Sequence, residues 1–348
     1  MNQRARARGA LTGLALGDAL GMPTQCLPFE LVRSRYTFLT DAAASSAFQP
    51  GPPDNELSAG MAAGRVTDDT DQAVILGRLL VEGNGVVDQR RFADELLAWE
   101  ARMKAAGSLD LLGPSTLRAL TQVAAGAALD STGRWGDTNG AAMRITPMGI
   151  AHSAHDLDAL VDAVHLTGRV THDTGTAVAG AAAVAAAVSA GLDGADISEA
   201  TDLAIEAAHL GRSRGHYVPG ADVAARISWA LDVVNEHGLE PGLESVVHLI
   251  GTSVATQESV PAAFAVLALV PHDPWLAVRA AASLGGDCDT IGAIVGAIAG
   301  ACAGIEGYPT DAVEILGAAN PDLALDQLAD DLLALRITST LRNETART

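Results

Sequence analysis

Ile291-Gly-Ala-Ile-Val-Gly-Ala-Ile-Ala-Gly-Ala-Cys-Ala303 is the stretch whose reading decides the fold. It is apolar on every face, and so is Thr176–Ala190. A helix without a polar face belongs inside a protein. Side chains this small let backbones approach closely, so both segments are expected as central helices. Around them, helical periodicity dominates. It predicts helices over 73–80, 91–103, 157–164, 221–234, 243–250, 261–270 and 275–283, with a last amphipathic helix over 323–335. Regular β alternation is nearly absent, and no fixed-period repeat or Pro-rich linker divides the chain. The expectation is an all-α fold in a single domain over 1–348, with its core over about 9–335 and a frayed tail beyond 343. Asp41–Gly64 and Arg212–Gly220 read as irregular loops of the kind that flank sites.

Composition narrows the function classes. The 348 residues hold 22 Lys+Arg against 42 Asp+Glu, a net charge of −20, which repels phosphate backbones and argues against nucleic-acid partners. Only 4 Trp, 3 Tyr and 5 Phe are present, too few for a base-stacking surface. Cys26, Cys288 and Cys302 lie far apart without a Cys-x-x-Cys, as in a reduced cytoplasmic protein. The apolar run Leu11–Leu16 resembles a signal peptide superficially, but Asp18 interrupts it and no clean cleavage site follows. Ile291–Gly304 falls short of the ~20 residues that span a bilayer, so no membrane partner is expected.

The chemistry concentrates in two segments more than two hundred residues apart. The first is Arg65-Val-Thr67-Asp68-Asp69-Thr70-Asp71-Gln72, and the second is Gly285-Gly286-Asp287-Cys288-Asp289-Thr290. Both precede predicted helices. Alone, each is explained by helix capping, because Thr and Asp are good N-caps and acids suit a first turn. Together they read differently if they meet in space. Carboxylates and Thr hydroxyls are hard oxygen ligands for Mg²⁺ or Mn²⁺. Four acids converging in a helical core repel one another unless cations neutralise them. A two-ion site is then the economical reading.

Gly17-Asp18-Ala19-Leu20-Gly21, Thr67-Asp68-Asp69-Thr70, Asn139-Gly140-Ala141-Ala142-Met143-Arg144, Thr171-His172 and Gly285 to Thr290 resemble, in that order, the ADP-ribosylglycohydrolases. That family includes the dinitrogenase reductase-activating glycohydrolases. The resemblance spans roughly residues 9 to 309. It implies a compact all-α fold, two Mg²⁺ or Mn²⁺ ions, and hydrolysis of the bond between C1 of the distal ribose and an acceptor atom. It implies Thr67, Asp68, Asp69, Asp287, Asp289 and Thr290 as metal ligands, the residues the donor chemistry also selects. It places Asn139, Gly140, Ala142, Met143 and Arg144 beside the substrate phosphates and ribose, with His172 near the ribose and Gln25, Gly285 and Gly286 also at the substrate. For Arg144 the residues leave phosphate contact and structural pairing open. His172 taken alone is more often structural.

One departure is visible. Many family members place a glutamate where this chain has Gln25, and an amide cannot serve as a general base. Water activation then falls to Asp69, to Asp110 in Leu109-Asp110-Leu111-Leu112-Gly113-Pro114, or to Glu30; otherwise the protein binds its ligand and turns it over poorly. The leading expectation is a metal-dependent hydrolase of an ADP-ribosyl or related ribosyl glycoside, taking a small-molecule ADP-ribose substrate or an ADP-ribosylated acceptor. The alternatives are a two-metal phosphoesterase and a non-enzymatic, crystallin-like ligand binder. The acceptor and the oligomeric state stay open.

Overall fold

A computed structural model describes residues 2–109 and 111–347, with side chains described through 336. Among the described residues the chain forms nineteen α-helices and no β-strand; its two isolated bridges, Thr138–Ala255 and Thr174–His216, tie loops together. The all-α expectation holds.

The two predicted central helices are Gly175–Leu192 and Cys288–Ala303. Gly175–Leu192 is long and apolar enough to cross a membrane by length and composition, yet 89% of that window is buried inside the fold. It packs against the helices Ile197–Gly211, Cys288–Ala303 and Leu157–Gly168. Thr174 caps its start by accepting from the Ala177 N–H.

The third central element was not among the predicted helices. Residues that resemble a signal peptide form the helix Gln3–Gly21, buried continuously from Gly9 to Gly21. It runs antiparallel to Cys288–Ala303 and makes the most extensive helix contact in the molecule. The contact is backbone on backbone. A β-carbon at Gly9, Gly13 or Gly17 would lie between 1.8 and 2.4 Å from the carbonyl oxygens of Gly300, Gly296 and Gly292 respectively. The reverse holds for Gly292, Gly296 and Gly300 against Gly17, Gly13 and Gly9, at 1.9–2.5 Å. Glycine inside a helix costs roughly 0.5–1 kcal/mol relative to alanine. Six of them on one interface are tolerated because any side chain would force the helices apart.

Other boundaries shift for local reasons. The helix predicted from Pro261 begins at Thr256 and runs to Leu269. A proline in a helix leaves the carbonyl four residues earlier without its usual donor. Here that carbonyl, Gln257 O, accepts from Arg226 Nε at 3.1 Å. The 243–250 segment divides into the helix Leu239–Ser245 and a π turn, Val246–Ile250. The last helix is Leu325–Arg347 and continues through the segment expected as a tail.

Gly17→Ala is expected to lower stability by about 2–4 kcal/mol, since its β-carbon meets a main-chain carbonyl that cannot move aside alone. Gly317→Ala, inside the helix Thr310–Ala319 with nothing within 4 Å of the added carbon, is expected to raise stability by up to about 1 kcal/mol. Thermal denaturation of the two variants side by side checks the contrast.

Candidate active site

Asp18 sits on the buried helix Gln3–Gly21 and is fully enclosed. Its carboxylate receives the start of the helix Asp68–Glu82. Thr67 N donates to Oδ1 at 3.0 Å and to Oδ2 at 3.1 Å, and Thr70 N donates to Oδ2 at 3.1 Å. The Thr70 hydroxyl donates to Oδ2 as well. The first N–H groups of a helix have no partner within it, and a carboxylate from another helix answers both need and dipole. Burial pushes Asp18 up to about 6 while these donors pull the other way. Thr67 Oγ1 lies 2.8 Å from Asp18 Oδ1 and 3.2 Å from Asp69 Oδ2, so its single proton goes to one carboxylate or the other.

Behind the next two acids stands Arg144. Gln72 Nε2 donates to Asp68 Oδ2 at 2.6 Å, and Arg144 Nη1 donates to Gln72 Oε1 at 2.7 Å. Arg144 Nη2 donates to Thr171 Oγ1 at 2.6 Å, and the guanidinium lies over the Phe92 ring at 5.4 Å. Burial lowers its pKa to about 10, opposed by the charges of Asp68 and Asp69. Arg144 is 2% exposed, and its Nη1 and Nη2 are engaged inside the protein. Of the two readings left open for it, the structure shows internal pairing, through an amide and a hydroxyl.

The second acidic segment is built on two glycines. Gly285 and Gly286 have φ of +67° and +63°, the left-handed region that favours glycine. A β-carbon on Gly285 would lie 2.2 Å from Leu27 O, and one on Gly286 would lie 2.3 Å from Thr252 Oγ1. Cys26 N donates to Gly286 O at 2.6 Å, and Asp287 N donates to Thr252 O at 2.7 Å. The turn therefore delivers Asp287 at the N-cap of Cys288–Ala303 and Asp289 in its first turn. Cys288 between them points elsewhere, with its Sγ 3.2 Å from Thr24 Oγ1. The Asp287 carboxylate accepts from Asn139 Nδ2, which also donates to Ser259 Oγ at 3.0 Å. Asn139 N is held by Val254 O at 2.9 Å. Desolvation pushes Asp287 up to about 6, against the Asn139 and Thr290 hydrogen bonds.

The two segments meet. Asp68, Asp69, Asp287, Asp289 and Thr290 line one cleft of about 260 Å³, together with Gln25, Asn139, Gly140 and Met143. Thr67 adjoins it as the cap of the helix that carries Asp68 and Asp69. No Lys, Arg or His side chain lines the cleft among the described residues. Leu57, Leu112 and Val254 supply apolar wall.

Other predicted residues stand one layer back. Ala142, Arg144, His172, Gly285 and Gly286 do not line the cleft among the described residues. His172 is fully buried; its Nε2 lies 3.0 Å from the hydroxyl of Thr138, a cleft residue, and its Nδ1 lies 2.9 Å from Thr171 Oγ1. Burial, with Arg144 beside it, holds its pKa well below the usual value and keeps the ring neutral. Asp110 lies outside the described residues, although its neighbours Leu109 and Leu111 line the cleft. Glu30 is exposed near His248, away from the cleft. Of the two expected loops, 41–64 reaches the site: Leu57 lines it, and Asn55 Nδ2 donates to Gln25 O at 2.7 Å. The 212–220 loop borders a different cavity. Asp18, Gln72 and Thr138 were missed as site builders. For Asp18 the signal was present, since a lone carboxylate in an apolar helical run demands a buried partner.

An ADP-ribosylglycohydrolase family profile matches residues 1–341. The chain belongs to this family. Among its relatives is an uncharacterised Escherichia coli (strain K12) protein, YegU, 35% identical over 301 residues, covering 86% of this chain and 88% of that one. ADP-ribosylhydrolase ARH3 of Bos taurus is 27% identical over 326 residues, covering 87% of this chain and 86% of its own. A solved structure titled an ADP-ribosylglycohydrolase-related protein complex superposes with a TM-score of 0.65 at 24% identity, covering 96% of this chain and 99% of that one, and so shares the fold. Membership in the ADP-ribosylglycohydrolases makes the chain a hydrolase of glycosidic bonds in ADP-ribosyl conjugates.

Asp18→Asn would set an amide N–H against donors that now meet an anion. The variant is expected to lose about 1–3 kcal/mol of stability, and amide exchange at Thr67 and Thr70 should accelerate with it. Hydrogen exchange resolved to the 66–72 segment reads this directly. Unchanged protection there would show that Asp18 does not hold the helix start.

Proposed function

We propose that this family member cleaves the C1 glycosidic bond of an ADP-ribosyl or related ribosyl conjugate in the cleft between the two acidic helix starts. We propose further that it does so with two Mg²⁺ or Mn²⁺ ions held by Thr67, Asp68, Asp69, Asp287, Asp289 and Thr290. One observation carries the reading: four aspartates line a single cavity where no described basic side chain accompanies them. Carboxylates facing one space repel, and burial adds a separate cost at Asp287, whose carboxyl it pushes upward. Among the described residues, no three His, Cys, Asp or Glu side chains stand together closely enough to hold a metal ion. The fit rests instead on donor type, since carboxylates and hydroxyls suit hard divalent cations. Such ions, when bound, supply positive charge that polarises ribose hydroxyls and water.

The protein's own groups have separable tasks. Asn139 fixes the Asp287 carboxylate, and Gln72 with Arg144 fixes Asp68. Gln25 Nε2 is buried without a hydrogen-bond partner among the described residues, which leaves a donor for a ligand oxygen. It orients and does not remove protons. We assign the base to Asp69: water adds to C1 as the bond to the acceptor breaks, the water proton passes to the carboxylate, and the acceptor takes a proton from solvent as it leaves. Direct attack inverts the anomeric centre. Cys26, Cys288 and Cys302 are free thiols, which supports a reducing, cytoplasmic setting.

Incubation with Mg²⁺ or Mn²⁺ and a panel of ADP-ribosylated acceptors and simple ribosides, followed by mass spectrometry, should show an intact acceptor and free ADP-ribose or ribose. Release of inorganic phosphate instead would indicate a phosphoesterase. Binding without turnover would indicate a ligand-binding protein. Asp287→Ala and Asp69→Ala are expected to abolish metal binding in calorimetric titration while the circular dichroism spectrum is retained. Full metal stoichiometry in either variant would sink the two-cluster site. Gln25→Glu should raise the hydrolytic rate if a base is in short supply, and an equal or lower rate would leave that task with Asp69.

A further inference from the structure

A second cavity, of about 210 Å³, lies on the reverse side of the first acidic segment, and Arg65, Arg78 and Arg102 line it. It shares no lining residue with the catalytic cleft. Asp71 belongs to the same first helical turn as Asp68 and Asp69 but faces this cavity, where its Oδ2 accepts from Trp99 Nε1 at 2.8 Å. Two of the arginines make single main-chain contacts: Arg65 Nη1 donates to Ala319 O at 3.3 Å, and Arg78 Nη2 donates to Asp322 O at 3.2 Å. Each guanidinium has five N–H donors, so most of them are left for another acceptor. Among the described residues none of the three forms an ion pair, although Arg4, Arg8, Arg33, Arg35 and Arg214 all do.

Three guanidiniums therefore meet two carboxylates, Asp71 and Asp322, at the cavity, and one of these carboxylates is already engaged by an indole. The surplus is positive in a chain whose net charge is −20. Arginine forks match the oxygens of a phosphate group in geometry and charge. We propose that this cavity binds the phosphate group of a small soluble anion, at a site distinct from the catalytic cleft. Its position matters for the enzyme. Arg65 is two residues from Thr67, so an anion held there is coupled through a few residues of backbone to the segment that carries Asp68 and Asp69.

Trp99 lies at the cavity and reports on it. Titration with inorganic phosphate, and separately with ADP, is expected to give a saturable change in tryptophan emission that Trp99→Phe removes. The double variant Arg78→Gln/Arg102→Gln, both sites being exposed, is expected to weaken binding at least about tenfold with an unchanged melting temperature. Calorimetry of the same proteins keeps the result independent of the fluorophore. Asp287→Ala should leave the phosphate signal intact, which separates this site from the catalytic reading. Saturation by phosphate alone supports the proposal with the free ion as ligand, and saturation by ADP as well supports it with an esterified phosphate. Absence of saturable binding below about 10 mM, or equal binding by the double variant, overturns it.

Discussion

The main chains of two helices touch along most of their length, and the rest of the molecule is arranged around that contact. Where side chains separate helices, packing can adjust by rotamer changes. Where the carbonyl of Gly292 occupies the place of a β-carbon on Gly17, the register is fixed to the residue. The last glycine of the stripe, Gly21, rests on the Cα of Asp289, so the stripe ends at the acidic turn. One turn back on the same helix, Asp18 takes hold of the Asp68–Glu82 helix through Thr67 and Thr70. A close contact made entirely of small residues thus brings together two acidic segments that lie far apart in the chain.

The electrostatics of the site follow from where its donors come from. Asp18, Asp68 and Asp289 are all buried carboxylates, and the nearby arginine, Arg144, stands behind the wall. Their negative charge is met mostly by neutral groups: hydroxyls, amides and the N–H groups at the start of the Asp68–Glu82 helix. Neutral donors stabilise a carboxylate without cancelling its field. The cleft consequently keeps the negative field of its carboxylates, and it does so with rigid supports. His172, neutral and enclosed, braces the Thr138 edge without adding charge to it.

Much of this was legible in the residues. An Ala- and Gly-rich helix with no polar face has to be central, and Cys288–Ala303 and Gly175–Leu192 are. The acidic segments stood out as hard oxygen donors at two helix starts, and the structure brings them to one cleft. The first helix was hidden because Arg-rich and apolar stretches at an N-terminus imitate a targeting segment. Its glycines at positions 9, 13, 17 and 21, matched by 292, 296 and 300, carried the information in their spacing. The helix Ile197–Gly211 was also passed over, although the reciprocal Asp196 and Glu199 bonds at its start are a sequence-readable cap. Arg144 and His172 could not be placed from sequence, since whether a polar side chain faces a cavity or the layer behind it depends on tertiary packing alone.

The glycine stripe also has a temporal consequence. The helix Gln3–Gly21 is synthesised well before its partner surface, which is encoded by residues 292–300. Contacts so distant in sequence close late, because the entropy of a very long loop must be spent before they reward it. Until then, a helix whose face is backbone and small apolar side chains has no suitable cover. The nascent protein therefore exposes its most selective surface until residues 292–300 have been made, and rapid collapse of the intervening helices limits its pairing with a neighbour.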